Sequence, residues 1–347
     1  MRAAVVGAGQ ISRQHLACLK ELPGINIAAI CDTSPVVAEA MADRFSVRAW
    51  YTNHREMLRD VKPDVVHVTT PPSSHNLLAG DALEAGANVI LEKPATLNYQ
   101  QTLELLERAR ERNLVLIEDY NYLFNSQVQH LLRLIEAGTF GSVVHVDIFL
   151  CLQILHPGSV FADPNVRHPL HDMEGGAIAD FLPHLASLAH AFVGEHRRVE
   201  AIWMKRSQHT LPSDEFRALV QAERGTAHLA FSAHAQPDTF SLRVEGTRMR
   251  ARANLFETHL AFERVRAAKP LIPLLNGMEE AAASSRHAFS SMWRKLSGGP
   301  GAYHGLWELL RRTYAALADH TAPPISLEQV EAVNRLVWDL TKEASRP

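Results

Sequence analysis

Over the first 120 residues the apolar positions alternate between two rhythms. The short runs AAVVGAG, INIAAICD, DVVHVTTPP, NVILEKP and LVLIEDY are rich in β-branched residues and predict buried strands. Between them, ISRQHLACLKEL, PVVAEAMADRF, SSHNLLAGDALEAG and LNYQQTLELLERARERN place apolar residues at helical spacing. Pro35 suits a first helical turn, Ser73 and Ser74 are capping candidates, and Gly86 suits a helix end. Strand and helix in strict alternation give right-handed βαβ units, and therefore a parallel sheet covered on both faces.

Past residue 120 the rhythm changes. SQVQHLLRLIEAGTFG reads as one more helix and SVVHVDIFLCLQIL as a long strand, while residues 156–173 read as a loop. GGAIADFLPHLASLAHAF follows as a helix. Strand-like pieces near 198–207, 215–223, 226–234 and 239–246 have no helix between them, which predicts an antiparallel or mixed sheet. Helices at 303–319 and 326–344 close the chain, and 278–295 reads as a helix with a basic end. The expected division is a doubly wound domain over 1–120 and a second, α+β domain over 121–347.

Composition narrows the function classes. The 347 residues carry a formal net charge of −3, with 46% hydrophobic and 21% charged residues. Such a balance gives no electrostatic reason to expect nucleic acid or an anionic membrane as partner. MRAAVVGAGQ is too short an apolar run for a signal peptide, and no run of about 18 apolar residues predicts a membrane span. Cys18, Cys31 and Cys151 are scattered and odd in number, which fits a reducing cytoplasm and no disulfide framework.

VVGAGQIS places Gly7, Gly9 and Ser12 at the three positions of a GxGxxG turn between a strand and a helix. The first glycine allows the tight turn, the second lets a pyrophosphate approach the backbone, and the third position must stay small. The helix N-terminus behind it offers N–H groups to the phosphates. Asp32, ending the second strand, can accept hydrogen bonds from both ribose hydroxyls and would repel a 2′-phosphate, which favours NAD over NADP. Arg13 and Arg44 are the cations that could answer such a phosphate. The competing reading is a ligand-free glycine turn with Asp32 as a helix cap.

The set VVGAGQIS, CD at strand two, TTPPSSH, LEAGANVILEKPATLN and GGAIADFLPH, in that order, resembles the glucose–fructose oxidoreductase and inositol dehydrogenase family. The resemblance spans nearly the whole chain, and EKP and GGxxxDxxxH are its most specific parts. It implies a Rossmann domain joined to a domain with a large, mostly antiparallel open sheet that packs against another subunit, as a homodimer or homotetramer. It implies NAD or NADP chemistry on sugars, polyols and related cyclic compounds. Lys93, Asp180 and His184 match the family's catalytic lysine, aspartate and histidine. Pro71, Glu92, Lys93 and Asn121 fall where the family touches ribose or nicotinamide. With the turn residues, the expected cofactor site comprises Gly7, Gly9, Gln10, Ile11, Ser12, Asp32, Thr70, Pro71, His75, Glu92, Lys93 and Asn121. The family often carries an arginine two residues after that asparagine; here it is Leu123.

Hydride transfer to or from a carbinol carbon needs close positioning, a base for the hydroxyl proton, and a donor to the oxygen. Lys93 ends a parallel strand at the edge where doubly wound sheets place ligands, and Pro94 favours an extended conformation there. It would hydrogen-bond the reacting oxygen, whereas without its context it is a surface lysine. Asp180 and His184, at i and i+4, share one helix face with Ser187, while Ile178, Phe181, Leu182, Leu185, Leu188 and Phe192 take the other. The bland reading is a solvated polar face. The chemical reading makes His184 the acid/base and has Asp180 orient it or bind a substrate hydroxyl. Pro183 removes an N–H, so the helix either starts late or bends. Gly175 and Gly176 read as room beside a cofactor or substrate.

His168, His171 and Asp172 are close in sequence, but their spacing fits no common zinc motif, and no metal is expected. His156, Arg167 and His168 are candidate substrate contacts at the mouth of the site. His67 and His145 lie within strands and read as packed or paired, and RHAFSSMWRK reads as a lid or packing helix rather than a membrane-surface or partner element. The expected function is an NAD(H)-dependent oxidoreductase acting on a sugar, polyol or nucleotide-linked sugar. A tightly held NAD recycled in an elimination or epimerisation is the enzymatic alternative, and a cofactor-binding regulator is the non-enzymatic one.

Overall fold

The computed structural model describes residues 1–156, 159, 161, 175–209, 211–257, 259–265, 272–282, 285 and 303–345. The chain forms two compact units. One is Met1–Tyr120 with Leu306–Arg335, and the other is Asn121–Gly305 with Leu336–Pro347. A linear reading assigns all of 121–347 to one domain, but the C-terminal helices divide between the two units.

The first unit contains β1 (Arg2–Val6), α1 (Ser12–Glu21), β2 (Asn26–Cys31), α2 (Pro35–Phe45), β3 (Trp50–Tyr51), α3 (His54–Val61) and β4 (Val65–Val68). It continues with α4 (His75–Glu84), β5 (Asn88–Leu91), α5 (Tyr99–Arg112) and β6 (Leu116–Glu118). The six strands are parallel in the order β3-β2-β1-β4-β5-β6. The chain reverses direction across the sheet at β1/β4, the switch point where doubly wound sheets open a ligand crevice. Pro35 occupies the first turn of α2 as expected. The sequence reading passes over β3 and α3. The strand is two residues long, and α3 starts at an Asn53 cap whose side chain accepts from Arg55 and Glu56 N–H. The Ser74 side chain does not cap α4 but bonds Thr70 Oγ1 and Pro71 O instead.

Late in the chain, α9 (His304–Asp319) brings Leu306, Leu310 and Tyr314 into the first unit's core beside Ala3, Val5, Leu16, Leu19 and Val65. Its apolar stripe therefore packs on core residues, Ala3 to Ile90, that lie more than 200 positions earlier.

The second unit contains α6 (Ser126–Glu136), β7 (Val143–Cys151), α7 (Gly176–Val193), β8 (His196–Met204), β9 (Glu215–Ala222) and β10 (Thr226–Ser232). β11 (Thr239–Gly246), β12 (Met249–Asn254), β13 (Leu260–Arg264) and a helix over 272–282 (α8) follow, and α10 (Leu327–Thr341) runs through both units' ranges. The sheet order is β13-β12-β11-β7-β10-β9-β8, antiparallel except for the parallel pair β7/β10. α7 packs on this sheet, with Phe181 stacked on Phe231 at 5.3 Å between ring centroids. By length and composition α7 could cross a membrane, but 78% of it is buried, as in the core helix of a packed domain. Ile202, 62% exposed, and Leu219, 61% exposed, lie on β8 and β9.

Candidate active site

In the first unit the glycine turn follows β1. Gly7 has φ +95°, and a Cβ there would lie 2.7–2.9 Å from Thr69 and Thr70. Only glycine fits that contact. A Cβ on Gly9 meets nothing within 4 Å, so its backbone faces open space, as an approaching pyrophosphate requires. Ser12 is fully buried, with its hydroxyl donating to Gly9 O at 2.6 Å, which accounts for the small residue at the third position. No side chain caps the start of α1 at Gln10–Ile11.

Asp32 follows β2. Its Oδ2 accepts the Ala8 N–H at 2.8 Å and its Oδ1 accepts Ser34 N–H at 2.9 Å. The acid is therefore fixed against the turn itself, while each oxygen keeps lone pairs for a diol. These features fit NAD: an open glycine, an uncapped helix start and an oriented acid.

Thr70 and Pro71 follow β4. His75, the buried first residue of α4, ties their backbone to the loop after β5. Its Nε2 faces Thr70 O at 2.7 Å, and its Nδ1 faces Pro94 O at 3.0 Å and Ala95 O at 3.2 Å. Burial lowers its pKa. Both ring nitrogens are committed to backbone, so His75 supports the cofactor loops from beneath.

Lys93 is half-buried and joined to Pro94 by a cis peptide bond. The Glu92 carboxylate turns into the unit, where Oε1 meets His15 Nε2 at 3.0 Å and Oε2 accepts Lys93 N–H at 3.3 Å. At the neighbouring end of β6 sit two buried acids that the sequence reading passes over, Glu118 and Asp119. Glu118 accepts from Ala95 N–H, Tyr120 O–H and Asn334 Nδ2, and burial pushes its pKa up to about 7. Burial and the adjacent Glu92 charge hold Asp119 well above the carboxylate range. Two acids closing an otherwise apolar strand, IED, were the available signal.

The second unit presents Asn121, Asp180 and His184. Asn121 Oδ1 is buried with no hydrogen-bond partner among the described residues, an acceptor suited to an amide donor. α7 runs unbroken from Gly176 through Pro183, so the helix does not start late. His184 is 7% exposed and Ser187 is fully buried, which overturns the solvated-face reading of this pair. Asp180 is half-buried. Tyr122 packs its ring against His184 at 4.8 Å and 83°, and against Phe240 at 4.7 Å. Leu123, where the resembled family often carries an arginine, is buried at 4% exposure.

Gly175 and Gly176 do not make room for a ligand. A Cβ on Gly175 would lie 2.8 Å from Trp203, and one on Gly176 would lie 2.8 Å from Pro212. Their small size lets β8 and the 205–214 turn close over the start of α7. That turn is organised by Asp214, which accepts from Arg206 and Ser207 N–H, Ser207 O–H, His209 Nε2 and His234 Nε2. His156 is exposed, and Arg167, His168, His171 and Asp172 lie outside the described residues.

Residues 1–120 match the model of the oxidoreductase family with an NAD-binding Rossmann fold, and residues 128–252 match the GFO/IDH/MocA C-terminal domain. The chain belongs to the Gfo/Idh/MocA oxidoreductase family. It is similar to D-glucoside 3-dehydrogenase of Escherichia coli, with 31% identity over 41% of each chain. It is also similar to dTDP-3,4-didehydro-2,6-dideoxy-alpha-D-glucose 3-reductase of Saccharopolyspora spinosa, with 27% identity over 67% of this chain and 68% of the relative. The match thus spans less than half of the first relative and about two thirds of the second. Among solved structures, an NAD binding oxidoreductase from Klebsiella pneumoniae superposes with a TM-score of 0.81 over 99% of this chain and 96% of that one, at 18% identity. This last likeness concerns the fold.

Proposed function

We propose that this Gfo/Idh/MocA protein is an NAD(H)-dependent oxidoreductase acting on a secondary alcohol or ketone of a sugar, polyol or nucleotide-linked sugar. The observation that carries the reading is Asp32, bonded to Ala8 N–H at 2.8 Å beside the open face of Gly9. A carboxylate in that place binds a ribose diol and opposes a 2′-phosphate. The substrate class follows the two curated relatives, both named for chemistry at carbon 3 of a sugar.

Bound nicotinamide would supply the hydride acceptor or donor. The Lys93 ammonium donates a hydrogen bond to the substrate oxygen and stabilises its developing charge. The His184 imidazole takes the hydroxyl proton in oxidation and returns it in reduction. Burial of His184 under Tyr122 keeps the ring in one orientation and limits competing water. Asp180 orients the imidazole or holds a neighbouring hydroxyl. His156, with Arg167 and His168, contributes further substrate contacts. The scattered, buried, free cysteines support a cytoplasmic location. The exposed Ile202 and Leu219 support a homo-oligomer through the outer face of the second sheet.

A screen of sugars, polyols and nucleotide-linked sugars, read as NADH formed or consumed, tests the proposal. Substrate-dependent change in NADH absorbance is expected. Turnover supported by NADPH alone would reject the cofactor reading.

A further inference from the structure

A file of buried polar side chains beneath Glu92 has no part in the hydride transfer described above. The Tyr314 hydroxyl meets His67 Nε2 at 2.8 Å, His67 Nδ1 meets His15 Nδ1 at 2.8 Å, and His15 Nε2 meets Glu92 Oε1 at 3.0 Å. α9, β4, α1 and the end of β5 each contribute one member, all in the first unit. His15 and His67 are fully buried, and their rings cross at 89°.

Counting protons gives the file a direction. Two facing Nδ1 atoms need one N–H and one lone pair between them. Among the described residues the Tyr314 hydroxyl has His67 Nε2 as its one hydrogen-bond partner. A buried O–H left undonated loses its hydration with nothing in return. Tyr314 therefore donates, and His67 Nε2 is a lone pair. Burial keeps His67 well below the usual imidazole range, so it is neutral and carries its proton on Nδ1. It donates that proton to His15 Nδ1. His15 then holds its own proton on Nε2 and donates to Glu92, which is left an acceptor.

We propose that Tyr314, His67 and His15 are positioning residues that hold Glu92 ionised, and that the Glu92 charge keeps the adjacent Lys93 amine as an ammonium. This rests on the donor role proposed for Lys93. Other titratable groups face the pair. Asp119 and Glu118 come from the end of β6, Tyr120 follows them, and His75 comes from α4, while Cys18 and Asp64 face Tyr314. Burial raises Glu92, the hydrogen bond from His15 and the Lys93 charge lower it, and the carboxyl lies below its ordinary value. Asp119 goes the other way and donates to Glu92 as a neutral acid. Of these two acids, the one held by the histidine file carries the charge. His15, Glu92 and Asp119 also bring ligand-type atoms within 4.8 Å of one another, but in the proton order derived above His15 Nε2 is a donor to Glu92 and offers a metal ion no lone pair.

Competitive acetylation across pH, read at Lys93 by peptide mass spectrometry, reports the proton affinity of this amine without turnover. His15→Leu removes the donor to Glu92, and the Lys93 amine is expected to bind its proton about tenfold more weakly. His15→Gln keeps an N–H donor and is expected to restore the wild-type value. Tyr314→Phe removes the terminal O–H with little change of shape, and is expected to shift Lys93 in the same direction by a smaller amount. An unchanged Lys93 in folded His15→Leu overturns the proposal. If His15→Leu does not fold, an unchanged Lys93 in Tyr314→Phe does so. The sugar screen is a separate measurement, so failure to turn over any substrate would reject the oxidoreductase reading without touching this result.

Discussion

Asp32 Oδ2 accepts the backbone N–H of Ala8 at 2.8 Å, so the acid after β2 and the glycine turn after β1 form one rigid piece. Asp32→Ala should therefore affect the cofactor in two ways, by losing the ribose acceptor and by freeing the turn. NADH affinity is expected to fall roughly 10- to 100-fold, with the NADH-over-NADPH preference reduced. Fluorescence titration with both cofactors checks this. Undiminished NADH binding would show that the acid is only a cap.

Gly7 and Gly9 should separate folding from binding. Gly7→Ala places a Cβ 2.7–2.9 Å from Thr69 and Thr70 at φ +95°, and is expected to cost about 2 kcal/mol or more of stability. Gly9→Ala meets no protein atom within 4 Å, and is expected to melt like wild type while weakening NADH by at least about tenfold. Thermal melts beside NADH titrations distinguish the pair. Equal melting temperatures in both variants would contradict the assignment.

Lys93→Met should remove the donor to the substrate oxygen and leave NADH binding intact. A loss of roughly 10²-fold or more in kcat/KM is expected. His184→Ala should lose a similar factor and flatten the pH profile where the imidazole titrates. Steady-state kinetics across pH on the substrate found by the screen is the check. Activity within about threefold of wild type in either variant would remove that residue from the mechanism.

Asp214 predicts an acid-side stability loss in the second unit. Burial raises its pKa, but the hydrogen bonds from His234 and His209 outweigh this and hold the carboxyl far below its ordinary value. A depressed folded value stabilises above the unfolded value of 3.8, and that contribution disappears as pH falls through the folded value. Urea melts of the wild type should weaken as pH drops below that point. Asp214→Asn should be less stable by about 2–4 kcal/mol near neutrality and less sensitive to acid. Identical acid sensitivity in both proteins would refute the argument.

The parallel sheet, the GxGxxG turn and the position of Lys93 were legible because each depends on local pattern: period, glycine, proline. β3 and α3 were not, since a two-residue strand has no period and an Asn53 cap looks like any polar loop. β12 and β13 are not legible either, because Arg250 and Arg252 interrupt one and Glu263 and Arg264 end the other, which dilutes the apolar signal. Asp180 and His184 showed a true helical face, but wheel geometry does not say which side faces water. Tertiary packing buried His184 and Ser187. Gly175 and Gly176 are not legible for the same reason, since the groups that need their small size, Trp203 and Pro212, lie 28 and 36 positions away in sequence. His67 was correctly expected to be packed, but its partners lie on α1 and α9.

The place of α9 bears on how this protein is made. Leu306, Leu310 and Tyr314 fill the core under β1, β4 and α1, so a ribosome that has released the first 120 residues has not yet released a complete nucleotide-binding unit. The nascent sheet must wait, with part of its apolar surface uncovered, until nearly the whole message has been read. A gene truncated after Tyr120 should yield an aggregation-prone product. A fusion that reattaches 306–335 through a flexible linker should restore solubility and NADH binding together.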